Sequence, residues 1–249
     1  TQMACGWNIQ QNIATATDLV TKAAKAGANI ILLQELFETP YFCQVHDFDY
    51  FTLATSVEDN AAINHFKQLA KKLQVVLPIS FYEKSGNTFF NSVTVIDADG
   101  EILGTYRKTH IPDGIPYAEK FYFTPGDTGF KVWQTKYAKI GVGICWDQWF
   151  PECARSMALM GAEILFYPTA IGDEPTLDID SKGHWQRCMQ GHAAANLMPV
   201  IAANRIGTET ITQNGNDSVM AFYGSSFITD GRGEIIREAS KDKEEILST

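Results

Sequence analysis

Residues 140–147 read IGVGICWD, and this stretch decides the fold. Alternation along a strand places Ile140, Val142 and Ile144 on one face and leaves two glycines with Cys145 on the other. We expect the glycines to leave room beside the sulfur. A proline that favours a helix start follows a few residues later. Cys145 therefore lies at the C-terminal end of the predicted strand, and active sites in α/β sheets favour that edge of the sheet. The stretch therefore predicts an α/β protein with a candidate nucleophile, although a buried structural cysteine is the alternative.

Outward from this strand, helical and strand patterns alternate along the chain. Apolar residues at helical spacing predict helices over 10–26, 60–73, 151–161 and 184–197. Short apolar or alternating runs predict strands over 29–34, 75–83, 89–97, 101–106, 138–145, 163–168 and 200–204. The tail, 219–238, has a hairpin pattern around 230–233. No linker rich in Pro, Gly or Ser divides the chain, so we predict one α/β domain over residues 1–249 with a mixed sheet system. Both ends have strand patterns that break off, and we expect the natural chain to be longer.

Composition excludes several classes of protein. The 249 residues are 45% hydrophobic and 20% charged, as in an ordinary globular protein, and no apolar run is long enough to span a membrane. The formal net charge of −9 repels phosphate backbones and anionic lipid surfaces, so we expect neither nucleic acid nor membrane as a partner. Five cysteines, an odd number, favour a reducing cytoplasm with mostly unpaired thiols.

Two charged residues also follow predicted strands. Glu35 ends an apolar run and precedes aromatic residues, a setting that suits proton transfer, and Lys108 follows the strand 101–106. Taken singly, a solvated glutamate and a surface lysine are the plainer interpretations. Together with Cys145 they supply what acyl transfer needs, namely a nucleophile, a base and a cation for the oxyanion.

Three signature segments carry a family resemblance. They are LQE at 33–35, YRKTH at 106–110 and GICWD at 143–147, and with them the whole chain resembles the nitrilase superfamily of carbon–nitrogen hydrolases. Longer runs resemble the branch of that superfamily that hydrolyses N-carbamoylputrescine. These runs are ELFETPYFC at 35–43, HIPDG at 110–114, EKFYFTPGDTGF at 119–130 and CWDQWFPE at 145–152.

The resemblance implies a fold, an assembly and a set of roles. The fold is a four-layer α-β-β-α sandwich whose subunits pair across helices, so a homo-oligomer is expected. Cys145 matches the nucleophile, Glu35 the general base, Lys108 the oxyanion-stabilising lysine and Glu119 a second carboxylate that positions the site. No metal and no organic cofactor are implied.

The residues after the cysteine bear on the substrate. Family members that act on N-carbamoyl amino acids hold the substrate carboxylate, some with arginines just after the cysteine, where this chain has Gln148 and Trp149. That difference favours a cationic carbamoyl compound. The resemblance therefore implies hydrolysis of N-carbamoylputrescine to putrescine, ammonia and carbon dioxide, a step of polyamine synthesis. The alternatives are another amidase, acting on an ω-amide or a different carbamoyl compound, and a catalytically silent scaffold.

Several residues are candidates for contact with such a substrate. Aromatic side chains suit its aliphatic stretch, and the acidic loop over 172–178 suits its ammonium group, as would Asp147. The candidate substrate-binding residues are Tyr41, Asp113, Trp146, Trp149, Asp173 and Glu174. Core aromatics and a solvated acidic turn are the alternatives.

Overall fold

Two β-sheets form the centre of the computed structural model, which describes residues 1–173 and 180–249. In chain order the strands are β1 (Leu77–Ser85), β2 (Thr88–Ile96), β3 (Ile102–Arg107), β4 (Val132–Gln134), β5 (Lys139–Val142), β6 (Ile164–Pro168), β7 (Val200–Ala203), β8 (Ile206–Gln213), β9 (Asn216–Tyr223), β10 (Phe227–Thr229) and β11 (Ile235–Glu238). The small sheet is antiparallel, in the order β1-β2-β3. The large sheet has the order β11-β10-β7-β6-β5-β4, and its three central strands, β5, β6 and β7, are parallel. Strands β8 and β9 form a separate hairpin.

Two of the five helices in the described part of the chain begin at asparagine caps. The five helices are α1 (Ile9–Lys25), α2 (Ala61–Leu73), α3 (Glu119–Tyr122), α4 (Pro151–Leu159) and α5 (Lys182–Asn196). The side chain of Asn8 accepts the Gln11 N–H at the start of α1, and that of Asn60 accepts the Ile63 N–H at the start of α2. The predicted helices are therefore confirmed, with ends that differ by one or two residues.

Three apolar layers separate four layers of secondary structure. On one side, α1 and α2 bury residues such as Phe66 against Phe81 of the small sheet. Between the sheets, Val95 of β2 and Val142 of β5 belong to one buried cluster. On the far side, α4 and α5 cover the large sheet around Tyr167. The predicted α-β-β-α sandwich is confirmed, and the site described below lies where the ends of both sheets meet.

Two expectations from the pattern need correction. The predicted strand over 29–34 forms an isolated bridge, between Ile30 and Val76, rather than a continuous ladder of hydrogen bonds. The hairpin of β8 and β9 was not predicted, because apolar and polar residues alternate only weakly along its two partly exposed strands. Among the residues that the model describes, no helix is long and apolar enough to cross a membrane.

The glycines before Cys145 serve packing and not access to the sulfur. A Cβ built on Gly141 would lie 2.7 Å from Met157 Sδ of α4, and one on Gly143 would lie 2.7 Å from a ring carbon of Tyr167. The expectation that they leave room beside the sulfur is therefore wrong. Their lack of a side chain lets α4 and β6 close against β5.

We expect Gly141→Ala to lower the free energy of unfolding by about 1–3 kcal/mol, because the added methyl group overpacks the contact with Met157. The matched control is Gly191→Ala in α5, where an added Cβ meets nothing within 4 Å. That substitution should raise stability by about 0.5–1 kcal/mol. Urea unfolding measures both, and equal effects at the two positions would contradict this description of the packing.

Candidate active site

Cys145 sits at a strained turn beyond the end of β5. Its φ is +40°, a left-handed conformation that a non-glycine residue adopts only when its surroundings enforce it. A short 3₁₀ turn, Cys145–Trp149, begins at this residue. The side chain is buried, and Sγ lies 3.9 Å from the carbonyl oxygen of Ala170, a long contact for a thiol donor. The turn thus presents the sulfur away from the strand.

Asp147 holds this turn in place. Its carboxylate accepts the Ile144 N–H at 2.9 Å, the Tyr106 hydroxyl at 2.8 Å and the His110 N–H at 3.1 Å. It also contacts His110 Nδ1 at 2.7 Å. The side chain is fully buried, and contact of Asp147 with a cationic substrate stays a prediction. Its observed contacts fix the backbone on both sides of Cys145.

A buried lysine bridges two buried carboxylates beside the cysteine. Lys108 Nζ lies 2.8 Å from Glu35 Oε1 and 2.7 Å from Glu119 Oε2, and all three side chains have no exposed surface. Asn91 donates a second hydrogen bond to Glu35 Oε1 at 2.7 Å. Within the described ranges, Glu35 Oε2 is buried and has no hydrogen-bond partner. One oxygen of Glu35 is therefore anchored while the other stays available for a proton.

Lys108 and Glu119 are placed by the ends of regular elements, and Glu35 by a buried extended segment. Glu35 follows the buried run over 30–34 and precedes Leu36, whose φ is +49°. Lys108 follows β3 directly, and Glu119 is the first residue of α3. The structure brings these three side chains together from segments far apart in sequence, and their charges all act on Cys145.

The electrostatics keep the lysine charged and the thiol neutral. Burial lowers the pKa of Lys108, but the carboxylates of Glu119 and Glu35 outweigh it and hold that pKa well above its ordinary value. Burial raises the pKa of the Cys145 thiol well above its ordinary value; the charge of Glu35 adds to this and that of Lys108 opposes it. A thiol that does not ionise by itself needs a base within reach.

Tyr41 bonds to the second carboxylate. Its hydroxyl donates to Glu119 Oε1 at 2.6 Å, and the residue is fully buried. Burial is also the main cause that raises the pKa of Glu119, while the charge of Lys108 opposes it. Direct contact of Tyr41 with a substrate stays a prediction; its observed contact orients Glu119.

The other candidate substrate-binding residues are more scattered. Trp146 and Trp149 are half-buried and pack edge to face, with ring centroids 6.2 Å apart. Asp113 is exposed and lies 3.8 Å from Lys120 Nζ. Asp173 is exposed, and Glu174 lies outside the described residues. Contact of these residues with a substrate stays a prediction.

Two functional neighbours were missed from the sequence. Asn91 is a fully buried amide in β2, preceded by Phe90 and followed by Ser92, and a polar residue in an otherwise mostly apolar strand was the available signal. Arg205 follows β7 and is fully buried near Glu35, but nothing in the sequence distinguishes it from a surface arginine. No group of three or more His, Cys, Asp or Glu side chains suited to a metal occurs in residues 1–173 and 180–249.

Comparison with known sequences gives consistent matches over the whole chain. The family model described as carbon-nitrogen hydrolase matches residues 1–249. An N-carbamoylputrescine amidase of Oryza sativa subsp. japonica is 57% identical over 247 residues, which are 99% of this chain and 82% of that protein. A citrullinase of Francisella tularensis is 56% identical over 248 residues, which are 99% of this chain and 85% of that protein.

Comparison with solved structures agrees. The crystal structure of a carbon-nitrogen hydrolase from Helicobacter pylori G27 superposes with a TM-score of 0.90 and 42% sequence identity. The match covers 98% of this chain and 85% of that one.

We expect Lys108→Met to lower the free energy of unfolding by about 3 kcal/mol at neutral pH, because two buried carboxylates then face each other without a cation. The loss should depend on pH. Burial already raises the pKa of Glu119, and without the opposing lysine the folded state binds more protons than the unfolded chain. The variant should therefore lose stability as pH rises through the folded pKa, and regain it at acid pH.

Urea unfolding of Lys108→Met from about pH 5 to about pH 8 checks this dependence. Lys120→Met is the matched control, because that ammonium is exposed. A pH dependence of stability identical in the lysine variant and the control would contradict a charge-balanced cluster.

Proposed function

The chain belongs to the carbon–nitrogen hydrolase family, and on that premise we propose that it hydrolyses N-carbamoylputrescine to putrescine, ammonia and carbon dioxide. The observation that carries the proposal is the buried Glu35–Lys108–Glu119 cluster, with Glu35 Oε2 unpartnered in the described part of the chain. Identity of 56–57% over nearly the full chain to N-carbamoylputrescine amidases supports the substrate.

Attack on the ureido carbonyl is the first step. Glu35 Oε2 takes the proton from Cys145 Sγ, and the sulfur forms a bond to the carbonyl carbon. Lys108 spends two of its three N–H donors on carboxylates, which leaves one for the oxyanion, and the backbone N–H of Trp146 is the second donor. Glu35 then delivers its proton to the terminal nitrogen, the C–N bond breaks and ammonia leaves.

Water completes the reaction. Glu35 takes a proton from a water molecule whose oxygen attacks the carbamoyl thioester carbon, and the C–S bond breaks. The sulfur recovers a proton from Glu35, which returns to its starting state. The released carbamate loses carbon dioxide and leaves the free amine. Because Glu35 alternates between base and acid, one oxygen must stay free while the other is anchored, as the geometry provides.

The segment after the cysteine favours a cationic tail over a carboxylate. Gln148 is fully buried and uncharged; its amide oxygen accepts the Trp185 indole N–H at 2.7 Å, and its amide nitrogen has no partner among the described residues. Arg155 is the next arginine after Cys145, and it donates to the carbonyl oxygen of Ala195 at 2.8 Å on the exterior. Neither position places a guanidinium group at the site for a substrate carboxylate. Asp173 or Asp113 would then receive the substrate ammonium.

Citrulline is the second candidate substrate, because the Francisella citrullinase is almost as similar as the plant amidases. It shares the ureido group and an amine with N-carbamoylputrescine, but adds a carboxylate. An ω-amide is the further alternative. A silent scaffold is disfavoured, since Cys145, Glu35, Lys108 and Glu119 are all present and three of them are bonded together.

We also propose that the enzyme works as a cytoplasmic homo-oligomer that supplies putrescine for polyamine synthesis. Leu159 and Met160 at the end of α4 and Leu197 at the end of α5 expose apolar surface. Such surface supports pairing of subunits across these helices. The mass of the protein in solution tests the assembly.

We expect Cys145→Ser to abolish ammonia release from N-carbamoylputrescine while the fold is kept, because a hydroxyl is a far weaker nucleophile at this position. Cys188→Ser is the matched control, since its thiol lies outside the cluster and contacts the Gln148 carbonyl oxygen, which a hydroxyl can also reach. Circular dichroism verifies folding of both variants. Turnover in folded Cys145→Ser would rule out this mechanism.

The substrate is tested by kcat/KM for ammonia release from N-carbamoylputrescine, citrulline, N-carbamoyl-β-alanine and a simple ω-amide. We expect the first to exceed citrulline and N-carbamoyl-β-alanine by about tenfold or more, because a buried site penalises an unpaired carboxylate, and to exceed the ω-amide by a similar factor, because that compound lacks the second ureido nitrogen and the ammonium group. A higher value for citrulline would favour the second candidate. Equal values for all four would refute the narrow substrate while leaving the hydrolase assignment intact.

A further inference from the structure

A fully buried arginine, Arg205, forms hydrogen bonds with the backbone around Glu35, the proposed base. Arg205 Nη2 donates to the carbonyl oxygens of Glu35 at 2.8 Å and of Leu36 at 3.0 Å. Its Nη1 donates to the carbonyl oxygen of Thr39 at 3.2 Å. One guanidinium therefore joins three carbonyl groups within five residues of chain, which the planar fork of an arginine can do and a lysine cannot.

The segment held in this way is strained. Leu36 has a φ of +49°, a left-handed conformation in which the Cβ of a leucine is crowded by its own backbone. Its N–H donates to the Ser80 hydroxyl at 3.0 Å, so both sides of the residue are bonded to fixed groups. If these bonds were released, the backbone would relax toward ordinary angles and the carboxylate of Glu35 would turn with it.

The partner of Arg205 reaches the second carboxylate. Glu209 Oε1 lies 2.7 Å from Arg205 Nη1, and its Oε2 accepts the backbone N–H of Tyr41. The hydroxyl of Tyr41 in turn donates to Glu119 Oε1 at 2.6 Å. The ion pair is thus connected to both residues whose carboxylates flank Lys108, through the backbone of Glu35 and through Tyr41.

Stability alone is a poor explanation for this pair. Removing an arginine and a glutamate from water costs several kcal/mol each, and apolar replacements of similar size are often as stable. The pair nevertheless lies fully buried at the segment that carries Glu35. The desolvation cost of the pair is explained if the pair fixes the position of the backbone that bears Glu35.

We propose that Arg205 and Glu209 are positioning residues that hold Glu35 Oε2 toward Cys145 and hold Glu119 against Lys108. The inference rests on the proposed function, because it assigns Glu35 the role of base. Neither residue touches the reacting atoms; both act through the backbone of residues 35–41.

The test compares Arg205→Lys and Glu209→Gln with the unmodified protein. We expect kcat per titrated Cys145 to fall about tenfold or more in each variant, with KM within about threefold, because misplacement of a base by a fraction of an ångström slows chemistry without weakening binding. The rate of Cys145 alkylation by iodoacetamide at neutral pH should fall in parallel, because the buried thiol needs a correctly placed base to lose its proton.

Thr229→Val is the control for lost stability. Its fully buried hydroxyl accepts the Val200 N–H at 2.9 Å, at the opposite end of β7 from Arg205. We expect this variant to unfold more easily and to keep the kcat and the alkylation rate of the unmodified protein.

The outcomes separate the two claims. If the unmodified protein releases no ammonia from any of the substrates, the proposed function fails, while the alkylation rates still test the positioning without a substrate. Unchanged alkylation and kcat in folded Arg205→Lys would overturn the positioning role. If that variant does not fold, Glu209→Gln decides, since it keeps the arginine and the size of its partner.

Discussion

The ammonium of Lys108, buried between Glu35 and Glu119, is the interaction on which the rest of the site depends. Two ionised carboxylates buried side by side need a cation between them, and a lysine stays charged when buried only beside anions. Each member therefore requires the others. The balance leaves one excess negative charge, and a base that shares an anchored oxygen with the lysine is suited to take a proton on its other oxygen.

The fold supplies this cluster from both sheets. Lys108 ends β3 of the small sheet, while Cys145 follows β5 of the large sheet, so the apolar layer between the sheets sets their separation. A second buried pair, Arg205 with Glu209, lies behind the cluster. The adjacent Asn204 bonds both backbone groups of Ile171 and so fixes the segment whose Ala170 carbonyl faces the sulfur. The end of β7 thus contacts both halves of the site.

Regular patterns made much of the fold predictable, because α2 buries one apolar face and the strands around Cys145 are short apolar runs buried on both faces. The predictions that were wrong concern how helices and strands pack against each other. The clash that an added methyl group on Gly141 would meet is set by the position of α4, which local pattern does not encode. In the site, strand ends and signature segments pointed to Glu35, Lys108 and Cys145. The role of Arg205 could not be predicted, because the backbone carbonyl groups that it binds lie 166 and more residues away along the chain.

The most direct test of the central claim is acid quenching of the protein during turnover of N-carbamoylputrescine, followed by mass spectrometry of its cysteine peptides. We expect the peptide that contains Cys145 to gain the mass of the N-carbamoylputrescine acyl group, a thioester that persists in acid. The same peptide from the Glu35→Gln variant should stay unmodified, because the thiol keeps its proton. An adduct on any other cysteine, or turnover of the substrate with no adduct at Cys145 under single-turnover quenching, would contradict the proposed chemistry.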